Sequence, residues 1–202
     1  MPAIEAWRKV LVALAIILLS GCSLVQHKSS SGATGKAMQA ILTEGDYPRA
    51  ISALKAGKDE EALSLFNAVA SSHPDLAAPF INVGLIEIKR DNLHTAETAL
   101  LHAATLAPAQ PEIYNGLGII YRRLGRFTDA EAAYLKALRC APDYANAHLN
   151  IGILYEIYLN NLSAALNHYE RYQALSGGGK KPVKKWIIDV KQRLVRATGA
   201  TK

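Results

Sequence analysis

Three prolines, Pro74, Pro108 and Pro142, stand 34 residues apart. Self-similarity at a fixed period of that length is the signature of a repeat array. Each unit buries its apolar face only against a neighbour, so the chain must stack. The unit that begins at Pro111 shows that the period is helical. Tyr114, Leu117 and Tyr121 fall on one face of a first helix. Gly125 suits a sharp turn, and Pro142 stops a second helix. Gly118 and Ala130 are small, which lets two helices cross closely. Composition agrees: with 3 Phe, 2 Trp and plentiful Ala, the core favours packed helices over a β-sandwich. A balance of 50% apolar and 20% charged residues excludes disorder throughout.

With Tyr114, Leu117-Gly118, Tyr121, Gly125, Phe127, Ala130, Tyr134, Ala137 and Pro142, this unit resembles the tetratricopeptide repeat. The preceding unit repeats the pattern at Phe80, Val83-Gly84, Ala96, Leu100, Ala103 and Pro108, and departs from it at Glu87 and Asp91. The following unit has His148, Ile151-Gly152 and Tyr155, and needs one extra residue in its turn before Ala165 and Tyr169 align. A degenerate leading unit shows Gly57, Ala62, Phe66 and Pro74, with a first helix that is short and interrupted near Gly45 and Pro48. The resemblance covers about residues 46–176. It implies an all-α fold, a right-handed superhelix of three good helix pairs and one degenerate pair. Repeat packing falls to Gly84, Ala96, Tyr114, Gly118, Ala130, Tyr134 and Gly152. Gly177–Gly179 end the array. From Pro182 to Ala197 a last helix places Val183, Trp186, Ile187, Val190 and Leu194 on one stripe and basic residues on the other. An exposed terminal repeat needs a cover, so this helix is expected to cap the array. Its basic face also suits lipid headgroups or an acidic partner.

The other end of the chain carries a different signal. Arg8 and Lys9 precede an apolar run from Val10 to Leu19, shorter than the roughly 20 residues of a spanning helix and the length of an export signal. Leu19-Ser20-Gly21-Cys22 resembles the lipobox of bacterial lipoproteins. That resemblance implies a signal peptide over 1–21 and lipidation of the Cys22 thiol. Acyl chains anchor durably, since each buried CH₂ adds about 0.8 kcal/mol. Ser23, where Asp would retain a lipoprotein in the inner membrane under the enterobacterial sorting pattern, points to the outer membrane. Residues 22–37, rich in Ser and Gly, read as a tether whose ~15 coil residues reach about 20 Å. The repeat domain then spans 38–176, and the capping helix and basic tail 177–202. The formal net charge is +6, much of it at the C-terminus. A basic end can bind nucleic acid, but an exported chain does not meet it.

The residues offer no catalytic or metal constellation. The six His form no HExxH pair and no zinc-type cluster with Cys. Asp59-Glu60-Glu61 open a helix, where acidic residues complement the dipole. Cys140, among small residues near a helix end, reads as a packed side chain. The chain is therefore read as a binding protein, without enzyme activity, cofactor or metal. By the repeat resemblance, first helices line a concave groove. In this sequence the lining is Ile81, Leu85 and Ile88, then Asn115, Ile119, Arg122 and Arg123, then Leu149, Ile153 and Ile157. A mainly aliphatic groove with a basic pair suits an amphipathic helix or an apolar extended segment of an envelope protein. The C-terminal helix or the leading unit is the alternative occupant. Lipobox plus tandem repeats is similar to the pilotin-like lipoproteins that assist type IV pilus secretin assembly. That similarity implies a periplasmic scaffold anchored at the outer membrane. An accessory scaffold of an energy-transducing or cell-wall synthesis complex is the alternative.

Overall fold

The 34-residue period is realised as helix pairs whose turns repeat one hydrogen-bond scheme. A computed structural model describes residues 40–41, 44–177, 181–197 and 199. The expected export signal, Cys22 and the expected tether lie outside the described residues. The helices are α1 (Asp46–Lys55), α2 (Asp59–Ser72), α3 (Ala77–Lys89), α4 (Leu93–Leu106), α5 (Pro111–Arg123), α6 (Phe127–Cys140), α7 (Ala145–Ile153), α8 (Leu162–Leu175) and α9 (Lys181–Ala197). They pair as α1/α2, α3/α4, α5/α6 and α7/α8, and each pair stacks on the next. Between the members of each pair one residue takes a left-handed backbone: Gly57 at φ 73°, Asp91 at φ 64°, Gly125 at φ 74° and Asn160 at φ 50°. In the first three pairs the residue after it returns its N–H to the first helix, Lys58 to Ala53, Asn92 to Glu87 and Arg126 to Tyr121. This six-to-one closure satisfies carbonyls that a helix end leaves unpaired. Asp and Asn replace Gly at two of the four turns because they tolerate that conformation better than other side chains.

Two sequence expectations are corrected here. The extra residue of the fourth pair is not in the turn itself. It is absorbed as a π-helical stretch, Leu154–Tyr158, at the end of the first helix, and Asn161 N–H therefore reaches back six residues to Tyr155 rather than five. The leading helix is not interrupted at Pro48. Gly45 takes φ 85° just before it, and Pro48 sits in its first turn, where no intrahelical donor is needed.

The core is a chain of small-on-large contacts. A Cβ added to Gly118 would stand 2.4 Å from Tyr134 Cε1, one added to Gly152 2.6 Å from Tyr169 Cε1, and one added to Gly84 2.6 Å from Leu100 Cγ. Each glycine is a seat for the large residue of its own second helix, and all three large residues are fully buried. Ala50 and Phe66 occupy the same register in the first pair. Ala62, Ala96, Ala130 and Ala165, also fully buried, bring the second helices close. Neighbouring first helices are tied by side chains 35 residues apart. Asn82 donates to the Tyr47 hydroxyl at 3.1 Å, and Asn150 donates to Asn115 Oδ1 at 2.9 Å. At the array's end, Val183, Ile187 and Val190 of α9 are buried against a cluster holding Tyr169 and Tyr172. Arg193 donates to Glu156 Oε1 at 2.7 Å. The last helix is thus a cap on α8. Trp186, packed beside Tyr169, stays partly exposed.

Candidate functional site

The aliphatic first-helix face is built by α3, α5 and α7, which touch one another in order along the array. Leu85 and Ile157 are exposed on it, Ile157 at 65%, while Ile81, Ile119, Leu149 and Ile153 are half-buried. Ile88 and Asn115 are corrected: both are only 6% exposed and present no side chain to a partner. Ile88 is drawn into the core between α3 and α5. Asn115 is consumed by the hydrogen bond from Asn150. Leu149 and Ile153 also pack against the cluster that α9 closes. The α9 residues buried in that cluster face Tyr169 and Tyr172, and Leu85, Ile119 and Ile157 lie outside it.

The two arginines do different work. Arg123 donates to the Ile88 carbonyl at 2.6 Å and pairs with Asp91, so it is a strut between pairs. Arg122 has no ion pair among the described residues. Its guanidinium carbon lies 5.9 Å from the Tyr158 ring centre. Sequence reasoning missed the lip beside it. Tyr158 and Leu159 are exposed next to Ile157, and Leu124 is exposed at the turn of the preceding pair. Tyr158 stands over Phe127 at 4.7 Å between ring centres. The π-helical stretch turns these apolar side chains outward, and the extra residue of the fourth unit was their one sequence signal. Two surface hollows lie elsewhere, one of 810 Å³ between α8 and α9 and one of 720 Å³ lined mainly by α4.

One polar pair stands apart. His148 Nε2 is 2.9 Å from the Pro142 carbonyl, so that nitrogen carries a hydrogen. Its Nδ1 is then an acceptor in the neutral ring, and His168 Nδ1 donates to it at 2.9 Å. Burial, with the neighbouring His148 charge second, pushes the His168 pKa down to about 4. Burial first, and then Glu131, pushes the Tyr155 hydroxyl up to about 12. Neither set makes a catalytic constellation. Among the described residues no three His, Cys, Asp or Glu side chains gather as a metal site.

Comparison with known proteins agrees with this architecture. Residues 110–176 match the family model described as tetratricopeptide repeat. No curated protein matches the chain. Among solved structures, a thermophilic TPR protein of Thermus thermophilus superposes with TM-score 0.63 at 18% identity, over 75% of this chain and 82% of that one. MamA 41-end from Desulfovibrio magneticus RS-1 gives TM-score 0.57 at 20% identity, over 67% and 76%. The first TPR of Spaghetti, solved bound to an HSP90 peptide, gives TM-score 0.55 at 21% identity, over 59% and 93%. At such identities the likeness is one of fold. Residues 110–176 thus carry the tetratricopeptide-repeat match, and residues 46–175 form an all-α superhelix of helix pairs with the fold of the TPR structures.

Proposed function

We propose that this chain is a lipid-anchored periplasmic scaffold that holds an envelope protein against its first-helix face. The observation that carries the reading is the pairing of a Cys22 lipobox with an aliphatic face, exposed at Leu85 and Ile157 and edged by Arg122. Tetratricopeptide repeats mediate protein–protein interaction, and an apolar face of this kind takes an amphipathic helix or an apolar extended segment. Acylated Cys22 fixes the scaffold at the outer membrane. The partner belongs to an assembling envelope machine of the type IV pilus secretin kind.

Photo-crosslinking in cells tests this, with the reactive residue placed at position 85 or 157. One dominant envelope protein in the adducts of both positions is the expected result. Adducts confined to this chain's own residues, or a scatter of unrelated proteins, would overturn it.

A further inference from the structure

We infer that the outer face of α9 lies on an anionic lipid surface, as a second membrane contact beside the acyl anchor. The helix buries Val183, Ile187 and Val190 on one side. Beside that buried face Ile188 and Val195, seven residues apart and thus in line, are 57% and 51% exposed. Lys184, Lys185 and Arg196 flank that line and enter no ion pair among the described residues. Lys191 is paired with Glu170, and Asp189, the one carboxylate of α9, is paired with Arg193. The face is therefore a short apolar strip bordered by three uncommitted cations.

That pattern fits an interfacial helix, whose aliphatic side chains enter the headgroup boundary while lysines and arginines meet phosphates. Ile188 and Lys184 also border the 810 Å³ hollow between α8 and α9. Lipid is favoured by charge and proximity: three uncommitted cations beside exposed aliphatic side chains complement an anionic surface, and the acyl anchor holds the domain within a tether's reach of one. Ile188 and Val195 stand on a helix that caps α8, where capping alone would call for polar residues.

This inference rests on the membrane reading above, and its test keeps the two separable. The processed, acylated chain, which lacks Trp7, is made with Trp186→Phe and Ile188→Trp, which leaves the introduced tryptophan as the only one. It is reconstituted with vesicles of brominated phosphatidylglycerol or of brominated phosphatidylcholine. Flotation reports the anchor, and tryptophan quenching reports contact by α9. Quenching is expected on the anionic vesicles, several-fold less on the zwitterionic ones, and lost in 0.5 M salt. Each basic residue near an anionic surface contributes about fivefold, so Lys184→Gln, Lys185→Gln and Arg196→Gln together shift the contact equilibrium by about 100-fold. All three side chains are exposed, and helical circular dichroism checks the fold; the salt arm decides if the triple variant fails. Flotation without quenching on anionic vesicles overturns this inference alone and transfers the basic face to an acidic protein partner. Quenching equal on both lipids also overturns it. Failure to float overturns the anchor.

Discussion

Gly118→Ala is a one-carbon perturbation whose cost can be worked from contacts. The new Cβ would lie 2.4, 2.5 and 2.8 Å from Cε1, Cδ1 and Cζ of Tyr134. These are atoms of a rigid ring, not the tip of a flexible chain. Restoring ordinary contact requires the ring to move by about 1 Å in a close-packed interior. Tyr134 is fully buried with Ala130, Ile151 and Leu154, all at 0% exposure, so it has nowhere to go. Overpacking costs about 1–3 kcal/mol, and a rigid, fully buried ring puts this site in the upper part of that range, about 2–3 kcal/mol. Replacing a mid-helix Gly by Ala returns about 1 kcal/mol of helix propensity. The net loss is about 1–2 kcal/mol, or roughly 2–8 °C in Tm for a domain of this size. Thermal unfolding followed by circular dichroism measures it. Gly116→Ala is the control, because its Cβ would meet Leu100 Cδ1, a terminal methyl that can rotate aside. Gly118→Ala combined with Tyr134→Leu should lose less than the two single changes summed, since the leucine leaves room for the methyl. An unchanged or raised Tm for Gly118→Ala would refute the ring-seat account of the repeat.

Three further outcomes follow from the same contacts. His168 has a folded pKa near 4 against about 6.5 unfolded, so the unfolded chain binds the extra proton between those values. Stability is full above pH 6.5 and falls as pH drops toward 4, by about 1–2 kcal/mol after discounting for partial exposure; His168→Gln should flatten that part of a urea-midpoint profile, and an identical profile would count against it. Asn115→Ala strands the Asn150 amide between α5 and α7 and should cost about 1–3 kcal/mol in chemical unfolding, whereas a loss below a few tenths would mean that the link contributes nothing. Cys22→Ala should release the protein from the membrane fraction with its far-ultraviolet circular dichroism unchanged, and equal retention of variant and parent would contradict lipidation.

The 34-residue period determined the fold class and the helix pairs by itself, because repeat geometry is local. Two helices, a left-handed turn residue and a terminating proline recur wherever Gly118, Gly125 and Pro142 or their counterparts recur. The packing register was legible for the same reason, since Gly84, Gly118 and Gly152 each face a large residue of the same unit. The exposure of the candidate face was only partly legible. Position along a helix says which side a residue occupies, but burial depends on what the neighbouring helix brings. Ile88 was taken into the core and Asn115 was claimed by Asn150 because adjacent first helices approach closely. The apolar lip of Ile157, Tyr158 and Leu159 was hidden for another reason. An extra residue can widen a turn or a helix, and only the packing of Leu154 and Tyr155 against their neighbours chose the π-helical solution. What lies within one unit was therefore written in the sequence, and what lies between units was decided by tertiary contact.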